Sequence, residues 1–287
     1  MIHIAAETAF RRFLRLFREK GKDMLRYCSL FSGSSGNCTY IGTSNGGVLM
    51  DVGVSARRIT TALKERDIDP CSIRAVVLTH EHNDHVAGLR VLSKQFHWPI
   101  VASQGTLDAL VAGGQVSAEQ KLYTLPMDRC VTIAGMKITP FAAPHDSREC
   151  YGYRVDTESG RSLAMTTDLG YMPQSIMDVI TGCQFIHIES NHDTEMLRNG
   201  PYPYWLIKRI RGQGGHLSND ECAAVLPRLA EAGATRIVLA HLSEHNNTAA
   251  LAEQTARNAL AAVGATMGRD YLLSVAKPIG DSPVVYF

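Results

Sequence analysis

An apolar run of buried-strand type that stops abruptly in ionisable side chains, Ala75-Val-Val-Leu-Thr-His-Glu-His-Asn-Asp-His85, constrains this chain more than any other feature. Three histidines and an aspartate, His80, His82, Asp84 and His85, fall within six positions. Side chains alternate along an extended tip, so His80 and His82 share one side, while Asp84 and His85 can turn toward a second point as the following helix begins. Such a cluster can hold two metal ions close together. Imidazole and carboxylate suit zinc, manganese or iron, and an aspartate at the third place adds charge that helps organise a second cation. The competing reading is a solvated loop that happens to be rich in histidine, which accounts poorly for an ordered set placed directly after a strand.

Around this segment short apolar strands alternate with amphipathic helices. Val48–Val52, Ala75–Leu78, Ile100–Ala102, Ser162–Thr166, Phe185–Ile188 and Ile237–Ala240 read as buried strands. Apolar spacing of three and four predicts helices over Ile59–Arg66, Val86–Phe96, Thr106–Ala112, Glu221–Ala232 and Ala249–Val263. Val131–Phe141 and Tyr151–Asp156 look like hairpin strands with no helix between them. Mixed sheets covered by helices are the economical α/β (α+β) architecture, and a chain of 287 residues, 45% of them hydrophobic, has material for a substantial core.

Composition leaves the substrate open. A formal charge of +1 gives no global positive field, although a locally basic groove is compatible with that sum. Seven cysteines without a Cys-x-x-Cys pair read as buried free thiols in a reducing compartment, hence a cytoplasmic protein. No apolar run approaches the roughly 20 residues that span a bilayer, so no integral membrane association is expected. Residues 1–23 form a separate unit. Phe10, Phe13, Leu14 and Phe17 fall at helical spacing among Arg11, Arg12, Arg15, Arg18 and Lys20, which makes this a basic amphipathic extension, either a membrane-surface or targeting segment or a bland upstream addition. The domain proper is then 24–287. Oligomeric state is not legible.

His80-x-His82-x-Asp84-His85 matches the H-x-H-x-D-H signature of the metallo-β-lactamase superfamily, and the chain resembles that family in the order of its other motifs. Pro144-His145-Asp146, Thr166-Thr167-Asp168 and Leu239-Ala240-His241 each follow or end an apolar strand and resemble the remaining ligand motifs. The resemblance implies a four-layered αβ/βα sandwich of two mixed sheets flanked by helices, with metals at one edge. It further implies two divalent metal ions: His80, His82 and His145 on one, Asp84, His85 and His241 on the other, and Asp168 bridging. Ser29–Asn37, Glu189–Asp193, Tyr202-Pro203, Gly215–Asn219 and His241–Ser243 with Asn246-Asn247-Thr248 look like the YycJ/WalJ/VicX group, a likeness that covers nearly all of 24–287. That group implies a metal-dependent phosphodiesterase, a DNA exonuclease running from 5′ to 3′, so nucleic acid, DNA in first place, is the expected substrate. His245 departs from the group's pattern, which leads one to expect an acidic or polar residue there. A small-molecule phosphodiesterase, a glyoxalase II-like thioester hydrolase and a non-catalytic metal-binding regulator are the alternatives. The strand-like Tyr271–Val275 and Val284–Phe287 speak against the glyoxalase type, which carries a helical C-terminal region.

Asp84 and His216 are the expected catalytic residues. His216 lies in Gly214-Gly-His-Leu-Ser218, where glycines let backbone approach an anion and the imidazole can donate to a phosphate or leaving oxygen. Ser218 and Asn219 join it as candidate substrate-binding residues, or else cap the helix that starts there. Ser32–Asn37 reads equally as a phosphate-binding loop and as a tight hairpin. Glu189, His192 and Asp193 end a strand, as partners that orient ligand imidazoles or as a further acid/base group. His187 reads as a core residue. Lys208, Arg209 and Arg211 with Tyr202, Tyr204 and Trp205 mix cations and aromatics as single-strand binding surfaces do, or form a solvated helix face.

Overall fold

The computed structural model describes residues 24–117, 119–279 and 282–287. The basic amphipathic extension, 1–23, lies outside the described residues. Among those described, fourteen strands form two seven-stranded sheets. The first contains β1 (Arg26–Phe31), β2 (Cys38–Thr43), β3 (Gly46–Met50), β4 (Ile73–Val77), β5 (Ile100–Ala102) and β6 (Leu122–Thr124). The second runs through β7 (Val131–Ile133), β8 (Met136–Ala142), β9 (Tyr151–Thr157), β10 (Ser162–Thr166), β11 (Phe185–Glu189), β12 (Arg236–Ala240) and β13 (Leu272–Val275), after which β14 (Val285–Tyr286) returns to the first sheet beside β1. Neighbouring strands pair in the orders β14-β1-β2-β3-β4-β5-β6 and β13-β12-β11-β10-β9-β8-β7.

The period of two along each strand explains the layering. In β3, Val48 and Met50 face the opposite sheet while Leu49 faces helices; in β5, Val101 points inward and Ile100 and Ala102 outward; in β12, Val238 and Ala240 point inward and Ile237 and Leu239 outward. Both faces of each strand therefore carry apolar side chains, which is why these segments read as continuous runs rather than as alternating ones. Three apolar layers result. One lies between the sheets; a second packs Ile59, Leu63, Leu89, Leu92, Leu107 and Leu110 on the first sheet. The third packs Ile176, Ile180, Leu226, Leu229, Ala256 and Leu260 on the second. This is the four-layered αβ/βα sandwich anticipated from the resemblance.

The differences from the sequence reading are local. The single helix expected over Val86–Phe96 is two, Asn83–Val86 and Leu89–Phe96. The break falls where the Gly88 amide donates to the Val52 carbonyl at 2.8 Å, docking the chain on the loop after β3. The helix face suggested for Lys208, Arg209 and Arg211 is realised in helix Tyr204–Ile210, whereas helices Gln174–Ile180 and Thr194–Asn199 carry no sequence signal, because six or seven residues span too few turns to display a period. All seven cysteines are free, but Cys71 and Cys130 are exposed rather than buried. Among the described residues no helix is long and apolar enough to cross a membrane.

Parallel pairing of β3 with β4, of β10 with β11, and of β11 with β12 brings five strand ends to one edge of the sandwich. The sheets are fastened together there. Thr79 O accepts from Tyr151 N at 3.0 Å, Leu78 O from the Tyr153 hydroxyl at 2.6 Å, and Ser32 Oγ from His241 N at 2.8 Å.

Candidate metal centre

At this edge all seven residues expected to ligate metal converge. Nitrogen or oxygen atoms of His80, His82 and His145 lie within 4.8 Å of one another, and so do those of Asp84, His85, Asp168 and His241. His82 Nδ1 faces His145 Nε2 at 3.3 Å. Helix Asn83–Val86 starts directly after His82, and that turn sends Asp84 and His85 to the second cluster. There His85 Nε2 lies 3.3 Å from Asp84 Oδ2, and His241 Nε2 lies 3.5 Å from the same oxygen. Asp168 sits between the clusters, with Oδ2 3.1 Å from His85 Nε2 and Oδ1 3.7 Å from His145 Nε2.

The backbone reaches this arrangement through three residues in the left-handed region, each just beyond a strand: Asp51 (φ 61°), Asp168 (φ 58°) and His241 (φ 55°). Asp and His are among the non-glycine types that enter this region most readily. Their sharp turns bring the side chains to the gap between the sheets. Gly53 serves the same end differently. A Cβ on it would stand 1.6 Å from the Asp84 carbonyl oxygen, so only glycine lets the Asp84 backbone approach, and that oxygen accepts from Asn37 N at 2.8 Å. The Ser32–Asn37 turn thus braces the Asp84 segment, and Ser34 lines the cleft beside it.

Each inner imidazole is oriented from behind. His85 Nδ1 donates to Asp51 Oδ2 at 2.8 Å, and Thr79 holds both Asp51 oxygens through its amide and hydroxyl at 2.8 and 2.9 Å. His145 Nδ1 donates to Gly215 O at 3.1 Å. Glu189 Oε1 accepts from both His241 Nδ1 and His216 Nδ1 at 2.8 Å, while its Oε2 accepts from Leu169 N at 2.8 Å and Leu217 N at 3.1 Å. Of the two readings for Glu189, orienting the imidazoles is therefore the one realised. Asp193 instead caps helix Thr194–Asn199 by accepting from Met196 N, and His192 is buried with its carbonyl accepting from Asn219 N. Asp51 was missed entirely. A lone aspartate after β3 belongs to no motif, although an apolar strand ending in a turn-prone acid is the pattern that also marks Asp168.

Electrostatics divide the cluster. Burial pushes His80 down, helped by the charge on His85, and burial likewise lowers His145; both are neutral imidazoles with a lone pair to offer. Burial also works against charge on His85 and His241, but Asp168 and its neighbouring carboxylates outweigh it and hold both well above the usual histidine range. Asp84 and Asp168 are depressed by those same imidazoles despite their burial. Glu189 is lowered to about 2, burial being overcome by His216 and His241. Among the described residues His80 Nε2 and His241 Nε2 are buried with no hydrogen-bond partner, aimed into a gap ringed by imidazoles and carboxylates. That donor set fits divalent cations, whose arrival displaces the protons on His85 and His241.

The centre opens into a cleft of about 220 Å³ lined by His82, Asp84, His145, Asp168, His216 and His241, walled by Tyr202, Leu206, Arg209 and Ile210. His216 stands beside His145 and His241, with ring centroids 5.2 and 5.3 Å away. Ser218 and Asn219, also expected at the substrate, are committed elsewhere. Ser218 caps helix Asn219–Glu231 in a capping box with Glu221. The Asn219 amide is buried between Ser190 and Asn247, so the capping alternative accounts for this pair. His245 packs edge-on against Tyr202 at 5.9 Å, and His187 is a core residue paired with the Tyr27 hydroxyl at 2.6 Å. A larger hollow of about 630 Å³ lies against β6 and β7 and contains none of the clustered histidines or carboxylates.

Residues 47–242 match the β-lactamase superfamily domain. Exodeoxyribonuclease WalJ of Streptococcus pneumoniae (strain D39) is 33% identical over 90% of this chain and 97% of its own length. Exodeoxyribonuclease YycJ of Bacillus anthracis is 31% identical over 91% of this chain and 99% of its own. The crystal structure of the metallo-β-lactamase fold protein YhfI from Bacillus subtilis superposes with a TM-score of 0.66, at 16% identity, over 93% of this chain and all of that one. Sequence, sheet order and the convergence of histidines and carboxylates at one sandwich edge agree: the chain belongs to the metallo-β-lactamase superfamily, in the group that holds WalJ and YycJ.

Proposed function

We propose that this chain is a metal-dependent phosphodiesterase that shortens DNA from a 5′ end, using two divalent cations, zinc or manganese ahead of iron. The observation that carries the reading is the Asp168 carboxylate, whose two oxygens face two separate donor clusters. Support for DNA comes from relatives named exodeoxyribonucleases that align along nearly their whole length. His80, His82 and His145 hold one ion; Asp84, His85 and His241 hold the other; Asp168 serves both. Bound in this way, two such ions lower the pKa of water toward neutrality and offset the charge of an attacked phosphoryl group.

The protein's own part is positioning and proton management, on which phosphoryl transfer chiefly depends. Asp51, Glu189 and the Gly215 carbonyl fix which nitrogen of His85, His241 and His145 carries a proton, leaving the other free for a cation. Glu189 likewise holds His216 through Nδ1 and leaves its Nε2 without a protein partner among the described residues, at the cleft. From there His216 donates to a phosphoryl or leaving oxygen.

Purified protein loaded with zinc or manganese should hydrolyse bis(p-nitrophenyl) phosphate and release nucleotides from DNA with a labelled 5′ end, and leave S-lactoylglutathione intact. Turnover of the thioester alone would transfer the assignment to the glyoxalase II type, and no turnover at all would favour a regulator. His216→Ala should cut turnover about 100-fold with metal content unchanged, the scale of a positioned acid/base group. Loss of metal in that variant would place His216 among the ligands.

A further inference from the structure

The helix that walls the cleft has a second face the hydrolytic reading does not use. Leu206, Arg209 and Ile210 line the cleft, with Tyr202 just before the helix start, and Arg209 is tied to Asp146, the residue after His145, by a two-pronged ion pair. The opposite face of Tyr204–Ile210 is left to solvent. Tyr204 is 80% exposed and Trp205 66%, whereas the chain's other tryptophan, Trp98, is 5% exposed and stacked on Phe96 at 4.3 Å. Tyr204, Lys208 and Arg211 follow at i, i+4 and i+7, with Trp205 alongside, so two large rings and two cations share one stripe. Among the described residues neither Lys208 nor Arg211 pairs with a carboxylate. Two large aromatics exposed side by side make an apolar patch of the kind that marks a binding surface.

We propose that this outer face is the docking surface for the single-stranded end of a polynucleotide, Trp205 and Tyr204 stacking on bases while Lys208 and Arg211 engage phosphates. Charge complementarity selects the occupant: a polyanion with flat apolar faces satisfies both halves of the stripe together, which an apolar protein surface does not. One helix then serves two purposes, its inner face bounding the metal cleft and its outer face guiding a strand toward it. The proposal rests on the phosphodiesterase reading and supplies what a small diester would not need, a grip on nucleotides beyond the scissile one.

The test is binding, measured on metal-free full-length protein with a fluorescein-labelled oligodeoxythymidylate and its oligouridylate counterpart. Because Trp98 is enclosed, quenching of tryptophan emission on binding reports Trp205. Trp205→Ala should weaken binding about tenfold, within the range for one stacked base, and Trp205→Phe should restore most of it. Lys208→Ala with Arg211→Ala should lower the slope of log affinity against log salt by about 1.4, two phosphate contacts on a single strand. Unquenched emission with affinity unchanged in Trp205→Ala would overturn the proposal, as would a dimer of the wild type that the same substitution dissolves. Failure to cleave bis(p-nitrophenyl) phosphate despite quenched oligonucleotide binding would instead sink the phosphodiesterase reading and leave this surface standing.

Discussion

Asp168→Ala is expected to lose metal and to reduce phosphodiester turnover by about three orders of magnitude or more, equivalent to roughly 4 kcal/mol of barrier. The size follows from position. Asp168 reaches both clusters, with one oxygen 3.1 Å from His85 Nε2 and the other 3.7 Å from His145 Nε2. On the proposed two-cation reading, removing it would take away the charge that offsets both ions and the ligand they share. Alanine also places a Cβ without a polar side chain at φ 58°, a strain of roughly 1–2 kcal/mol. Asp168→Asn separates the causes, because asparagine tolerates that backbone and keeps the shape while losing the charge. Both variants should keep the far-ultraviolet circular dichroism of the native fold and both should lose metal by direct elemental analysis. Native metal content in Asp168→Asn would show that the bridging assignment is wrong.

The legibility of the centre in the sequence follows how locally each part is encoded. His80, His82, Asp84 and His85 fall within six consecutive positions, and the alternation of an extended tip followed by a helix start predicts the two directions they take. His145, Asp168 and His241 each stand alone at a strand end, so only their order and their likeness to a family link them; the parallel pairing of β10, β11 and β12 is what brings them together. Asp51 shows the limit. Its hydrogen bond to His85 spans 34 positions between strands β3 and β4 that are neighbours only in the folded sheet. Glu189 was visible as an acid ending a strand, but its role depends on one oxygen meeting two imidazoles 27 and 52 positions away. Ser218 and Asn219 illustrate the reverse case. A Ser-x-x-Glu capping pattern is local, strong and sufficient to explain them, and proximity in sequence to His216 did not bring them to the cleft.

Glu189→Gln, a change of one heavy atom, should weaken the proposed Asp84–His85–His241 cation site from behind its His241 ligand. The native carboxylate is saturated by four donors: Oε1 takes His241 Nδ1 and His216 Nδ1, and Oε2 takes the amides of Leu169 and Leu217. A glutamine has an oxygen for only one of these pairs and turns an NH2 toward the other. If the NH2 faced the two backbone amides, buried donors that cannot change would be left unmet, at about 1–3 kcal/mol each. Facing the imidazoles costs less, because a ring can move its proton to its other nitrogen and accept at Nδ1. For His241 that other nitrogen is Nε2, the atom 3.5 Å from Asp84 that must offer a lone pair to a cation. When the imidazolium gives up one proton, the substitution therefore leaves the remaining one on the ligand atom itself. Metal affinity at the Asp84–His85–His241 site should fall about 10- to 100-fold, with turnover following it. The same change should appear as a switch of the His241 ring from the Nδ1–H to the Nε2–H tautomer in nitrogen-15 spectra of the metal-free protein, taken at alkaline pH where the imidazolium has lost its second proton. A Glu189→Gln variant that binds its cations as tightly as the native chain, with the His241 proton still on Nδ1, would show that the carboxylate does not set the state of this ligand.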